Sequence, residues 1–247
     1  MTPKAKEIED VFVQMADPEK RKILMRFFKT GPGQYGEGDQ FLGVKNPETR
    51  KVVKLVWKDC SLYDAADLVH SKWHEVRLCG LLILVELFAC AQKKKEDKEM
   101  TSIYQQYIDL YPFINNWDLV DLSAYKIVGH YEMLHPEEGL MDSWITPSYT
   151  LWQQRIAMVS TWQHVRYNHF SNLLYRAEVL LSSQEDLLQK AAGWMLRELY
   201  SHDEIGQDLV RQFLDDHVAE MPSVMLSYTT EKMSQDERRY WRSRRGK

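Results

Sequence analysis

No stretch of this chain alternates apolar and polar residues as a half-buried strand would, and its β-branched residues are scattered. That absence excludes a sheet protein and leaves an all-α fold as the expectation. Long apolar runs are missing too. The longest, Leu78 to Ala91, is interrupted by Glu86 and is too short to span a bilayer. The first residues, Met1-Thr-Pro-Lys-Ala-Lys6, lack an apolar signal core, so nothing suggests export. Cysteine is scarce. Cys60, Cys79 and Cys90 show no paired metal spacing, and an odd few in 247 residues fit a reducing cytoplasm. There is no overall excess of positive charge: 32 Lys+Arg against 36 Asp+Glu give −4, mildly against a nucleic-acid binder.

The distribution of charge says more than its sum. Residues Arg238 to Lys247 hold six basic side chains and no acid. Without them Lys+Arg fall from 32 to 26 against 36 acids, a balance of −10. A second cluster is Lys20, Arg21, Lys22, Arg26 and Lys29, and a third is Lys45, Arg50, Lys51 and Lys54. Local basic patches bind phosphate while the rest of a surface stays acidic. The alternative is that each cluster is a solvated helix face.

What the chain has in quantity is helical spacing. Val120, Ala124, Ile127 and Tyr131 form one apolar stripe. Leu151, Trp152, Ile156, Val159 and Trp162 form another, and Leu187, Leu188, Ala191, Met195 and Leu199 a third. Breaks fall at Gly31-Pro-Gly33, Asn46-Pro47, His135-Pro136, Thr146-Pro147, Ser182-Ser183 and Met221-Pro222. Roughly a dozen helices with short connections and no interdomain linker are expected, the chain forming a single domain over 1–247 with a basic tail at 238–247. Five segments also resemble one another: Arg77-Leu-Cys-Gly-Leu, Trp117-Asp-Leu-Val-Asp, Arg155-Ile-Ala-Met-Val, Lys190-Ala-Ala-Gly-Trp and, more weakly, Val224-Met-Leu-Ser-Tyr. Their leads are spaced by roughly 34 to 40 residues, the range of two-helix solenoid repeats. Such repeats stack into a curved array whose concave face carries function.

Several tempting signals fail by context. Gly31-Pro-Gly33-Gln-Tyr-Gly36 matches a dinucleotide fingerprint by letter, but a helical segment rather than a strand precedes it. It reads as a loop ending the first helical pair. His164 and His169 lie five apart with no carboxylate at ligand spacing, so they make no zinc site. Ser123 and Ser160 lack a partnered histidine, and no hydrolase triad is supported. No metal or nucleotide cofactor is implied.

The segment Asn115-Asn116-Trp117-Asp118-Leu119-Val120-Asp121 reads as a helix start, with an asparagine cap and acids in the first turns. Trp117 and Asp121, four apart, share a face. A carboxylate near a helix N-terminus is favoured in its ionised form by the helix dipole. The plainer reading is a pair of simple N-terminal helix acids. Arg155 and Lys190 stand in the register of Trp117, and Trp194 lies four beyond Lys190; a core role for Trp194 is the bland alternative. An acid, two tryptophans and two cations on one surface suit a charged sugar-phosphate ligand, because indole faces pack on sugars and favour cations, and arginine grips phosphate through a fork of donors.

Four stretches carry a family resemblance. They are Phe27-Phe-Lys-Thr-Gly-Pro-Gly-Gln-Tyr-Gly-Glu-Gly-Asp-Gln-Phe-Leu-Gly-Val44, Trp117-Asp-Leu-Val-Asp121, Leu151-Trp-Gln-Gln-Arg155 and Gln189-Lys-Ala-Ala-Gly-Trp-Met-Leu-Arg-Glu198. Together they resemble the AlkD-type alkylpurine DNA glycosylases of the DNA alkylation repair family. The resemblance implies a superhelix of HEAT-like repeats holding DNA in its groove. It implies Asp121 as the catalytic acid, Trp117 and Trp194 as contacts of the damaged nucleotide's sugar, and Arg155 as a DNA-backbone contact. It further implies that the damaged base stays outside a tight pocket.

The expected function is therefore a monomeric, cytoplasmic base-excision-repair enzyme. It would act on duplex DNA and remove N3- or N7-alkylated purines. Lys190 joins Arg155 as an expected backbone contact. The alternatives are a non-catalytic HEAT-like DNA-binding relative and a scaffold for protein partners.

Overall fold

The computed structural model describes residues 1–136 and 139–246. Among these the fold is all-α, with fifteen α-helices, three short 3-10 turns and no strand. Extended backbone pairs at a single isolated bridge, Gln40 with Trp73. The chain divides into two compact units, Met1–Ser123 and Ala124–Lys247.

The first unit comprises α1 (Pro3–Gln14), α2 (Pro18–Phe27), α3 (Asn46–Val56), α4 (Leu62–Val69), α5 (His74–Lys94), α6 (Asp97–Asp109) and α7 (Trp117–Asp121). The apolar run of the sequence is the centre of α5. That helix is buried along most of its length, and α3, α4, α6 and α7 pack against it. Glu86 interrupts the run because it is the position that faces water. Lys95 ends α5 in a left-handed conformation, φ 59°, and Lys93 and Lys94 make up the exposed last turn of that helix. Helix α4 opens on a capping box between Ser61 and Asp64. Helix α2 buries none of its residues and carries most of the second basic cluster.

The second unit comprises α8 (Ala124–Leu134), α9 (Leu140–Trp144), α10 (Leu151–Arg166), α11 (Ser171–Val179), α12 (Asp186–Tyr200), α13 (Glu204–His217), α14 (Ser223–Thr229) and α15 (Gln235–Arg244). Helices α8, α10, α12 and α14 pack side by side in that order, with α9, α11 and α13 set against them. This is the layering of stacked two-helix repeats. Thr150 and Gln153 form the capping box of α10. Arg176, fully buried, forms a double contact with Glu132, bonds Asp142 at 2.9 Å and so ties α11 to α8 and α9. Burial raises the Glu132 pKa, but the charge of Arg176 and the His164 and Arg176 hydrogen bonds outweigh it and bring the carboxyl to about 2.

The repeat register has a packing meaning. Gly80 and Gly193 both stand three residues past their leads, Arg77 and Lys190. A Cβ on Gly80 would lie 2.6 Å from the Ala65 carbonyl oxygen, and one on Gly193 2.5 Å from that of Met225. Each glycine is where one helix touches the backbone of its neighbour. No helix among the described residues is long and apolar enough to cross a membrane.

Candidate functional site

The first unit contains a cavity of about 280 Å³, and both sequence-predicted residues of α7, Trp117 and Asp121, line it. The placement begins with Asn116. Its side-chain oxygen accepts the Trp117 backbone N–H at 2.9 Å, which starts the helix where the sequence predicts a cap. One helical turn then separates Trp117 from Asp121, and both side chains are half-buried.

Asp118, between them, turns away into a buried network. Its Oδ2 lies 2.9 Å from His74 Nε2, while His74 Nδ1 is 2.8 Å from Asp39 Oδ2. Asp39 also accepts from Arg77 at 2.5 Å and from the Asn116 amide at 3.2 Å. His74 is 2% exposed, so both of its ring nitrogens are spent on carboxylates rather than on water. Burial alone would lower its pKa; the Asp118 charge and the hydrogen bonds from Asp118 and Asp39 reverse this and raise it to about 9. Burial likewise pushes Asp39 up, but its bonds and charges from His74 and Arg77 hold it below the ordinary carboxylate range. At neutral pH the histidine is therefore a buried cation between two anions.

The glycine loop exists to deliver Asp39. A Cβ on Gly36 would lie 2.4 Å from the Phe28 carbonyl oxygen and 3.3 Å from the Asn116 amide nitrogen, so only glycine lets the loop lie this close. The chain then reaches Asp39, pairs Gln40 with Trp73, and runs to Leu42-Gly-Val44, whose three N–H groups donate to Glu75 at 2.8–3.1 Å. This fixes Phe41, which stacks on His74 with ring centres 4.3 Å apart. Phe28 stacks on Phe41 at 5.0 Å and on Trp117 at 5.2 Å. Phe27, 60% exposed, meets the Trp117 edge at 5.8 Å. The wall of the cavity is thus a ladder of rings with the Asp121 carboxylate beside it.

The other predicted residues lie in the second unit. Trp194 is half-buried and its indole N–H donates to Glu198 at 3.0 Å, a carboxylate shared with Trp162 at 3.3 Å. Lys190 is half-exposed and paired with Asp186 one turn earlier on α12. Arg155 is 5% exposed, and its guanidinium donates to the Leu187 carbonyl. Asp39, His74, Phe28 and Phe41 do not stand out as site residues in the sequence. The nearest signals there are Arg77, which leads a repeat and binds Asp39, and the loop itself.

The model of the family described as "DNA alkylation repair enzyme" matches residues 8–233. The chain belongs to that family. Among solved structures, this DNA alkylation repair family member resembles a predicted DNA alkylation repair enzyme from Enterococcus faecalis, with a TM-score of 0.64 and 15% identity over 89% of this chain and 97% of that one. At that identity the likeness concerns the fold. No curated protein matches in sequence.

Proposed function

We propose that this family member is a DNA glycosylase that hydrolyses the N-glycosidic bond of cationic N3- or N7-alkylated purines in duplex DNA. The observation that carries the reading is the pairing of Trp117 with Asp121 on one short helix, at the wall of an aromatic cavity. A purine alkylated at N3 or N7 is already positive, so its bond to C1′ breaks without a general acid, unlike the bonds cleaved by two-carboxylate glycosidases. The electron pair of that bond passes to the purine nitrogen and neutralises the base. Positive charge is left on the deoxyribose. Asp121 stabilises it, and a water adds its oxygen to C1′ and gives up a proton.

In this reading the two units act together as one glycosylase domain. Trp194 packs on the sugar, and Lys190 and Arg155 hold the DNA backbone. Of these two cations Arg155 is the less exposed and has the smaller part in gripping phosphate. The protein acts as a monomer in the cytoplasm and needs no cofactor. The test is incubation with methylated duplex DNA and chromatographic detection of free 7-methylguanine. Asp121→Asn should lower release by on the order of 10²–10³ while DNA binding persists. Near wild-type release by that variant would rule out the mechanism.

A further inference from the structure

We infer that Trp162 and Trp194 form a two-indole platform for the sugar-phosphate strand of DNA, and that Glu198, which holds both indoles, is a positioning residue for that platform. This rests on the glycosylase reading, in which Trp194 packs on the sugar of the damaged nucleotide. Three observations carry it. The first is exposure. By its spacing Trp162 belongs to an apolar stripe of α10, yet Ile156 and Val159 of that stripe are fully buried whereas Trp162 is only half-buried. It stands two turns beyond Arg155 on α10, while Lys190, Trp194 and Glu198 follow one another at single turns of α12.

The second is the company Trp162 keeps. Tyr125 of α8, also half-buried, meets it edge-on, with ring centres 4.2 Å apart. Each of the two rings has a cation over it. Lys126 Nζ lies 5.4 Å from the centre of Tyr125, and the exposed Arg166 guanidinium lies 5.6 Å from that of Trp162. A partly exposed ring beside a cation offers two things in one place: an apolar face for a sugar and a charge for the phosphate next to it. A strand alternates those same two groups.

The third is Glu198 itself. Its Oε1 accepts the Trp194 indole N–H at 3.0 Å and an Arg197 N–H at 3.1 Å, and its Oε2 accepts the Trp162 indole N–H at 3.3 Å. The side chain is 28% exposed, so burial does not demand a carboxylate here. A carboxylate also repels the phosphate that this face receives in the glycosylase reading. What its bonds achieve is to fix the rotation of two indole rings on different helices. Water, which has no fixed place, would leave both rings free to turn.

The probe is a labelled duplex carrying tetrahydrofuran in place of one nucleotide, a stable stand-in for the sugar that base loss exposes, so that binding is read without catalysis. Glu198→Gln keeps the size of the side chain but leaves one oxygen to accept, and one indole N–H loses its partner. By charge alone this variant should bind the duplex more tightly. Positioning predicts the opposite sign, a loss of about 10-fold, the worth of one charge-assisted hydrogen bond. In a protein with both Trp162→Phe and Trp194→Phe the same substitution should no longer weaken binding, because neither ring has an N–H left to hold. Trp162→Leu, which keeps an apolar side chain against Tyr125, should weaken binding by about 10-fold, the low end of what one aromatic contact to a strand is worth. The indole N–H signals of a 15N NMR spectrum show which ring Glu198→Gln releases, and the rest of the spectrum shows that the fold is kept. Unchanged or tighter binding by Glu198→Gln, or an equal loss in the double-phenylalanine protein, would overturn the role of Glu198. Wild-type affinity for Trp162→Leu would overturn the platform. Release of 7-methylguanine by the wild type is measured alongside: if there is none, the glycosylase reading fails, and the binding results alone still decide what the two indoles do.

Discussion

His74 is the residue on which the candidate site turns, through the groups it holds in place. It joins Asp39 from the glycine loop to Asp118 of α7, and so fixes the helix that presents Trp117 and Asp121. Its folded pKa, about 9, stands above the 6.5 expected of an unfolded histidine. The proton-linked stabilisation is therefore complete below pH 6.5 and is lost as pH rises through 9. At 1.36 kcal/mol per unit it amounts to about 3 kcal/mol. Urea unfolding of the wild type at pH 6 and pH 9.5 should differ by about that much more than that of His74→Gln. Equal pH dependence in the two proteins would show that His74 is neutral when folded. Base release should also fall with His74→Gln, by about 10²-fold if α7 shifts by an ångström. Sequence points to Trp117 and Asp121 because they share a helix face and a motif. It cannot point to the Asp39–His74–Asp118 chain. Those residues come from a loop and two helices, 35 and 44 positions apart, and no periodicity links them.

At the scale of elements, helix pairs are set by backbone contact at glycine. Gly129 on α8 is the tightest case among the described helical glycines: a Cβ there would stand 2.1 Å from the Ser160 carbonyl oxygen and 3.0 Å from the Gln163 side chain on α10. Ordinary helix propensity predicts that Gly129→Ala stabilises by about 1 kcal/mol. The close approach predicts the reverse, since backbone cannot move aside cheaply, and overpacking costs about 1–3 kcal/mol. A lower urea midpoint for Gly129→Ala would bear this out, and a higher one would mean that α8 and α10 have room between them for a methyl group. The helices themselves are readable from sequence because burial follows the 3.6-residue period: Val120, Ala124, Ile127 and Tyr131 are all buried. Their division is not. That stripe runs across the break at Leu122 and Ser123, so α7 and α8 are two helices where the apolar pattern reads as one. Asn46-Pro47 reads as a break and instead opens α3, the usual place for proline in a first turn.

At the scale of the whole molecule, a basic tail on a chain of net charge −4 has two possible roles by composition, a phosphate anchor and a structural cap. Helix α15 favours the cap for most of the segment, Lys247 lying outside the described residues. Trp241 is 3% exposed. Just before it, Glu237 receives bonds from Arg211 at 2.9 Å and Tyr200 at 3.2 Å, which fasten α15 to α13 and α12. Three of the six cations are also engaged: Arg244 pairs with Asp215, Arg245 donates to the Met221 carbonyl at 2.9 Å, and Arg239 lies 3.6 Å from Asp236 on its own helix. The tail therefore stabilises the second unit. Removing residues 238–247 should lower the melting temperature and the helical signal. Trp241→Ala alone should reproduce most of that loss, about 3–5 kcal/mol for a buried tryptophan. Arg238, Arg242 and Arg239, whose partner Asp236 is itself exposed, are the tail's candidates for holding phosphate. Replacing all three with glutamine keeps Trp241 in place and separates charge from packing. The fold should persist, and the slope of log affinity against log salt should flatten by about 1 for each phosphate that the variant no longer neutralises. If truncation leaves the melting temperature unchanged, Trp241 does not cap the second unit. If the triple variant keeps the full salt slope, the DNA path does not cross α15, and the basic clusters of α2 and α3 become the place to look.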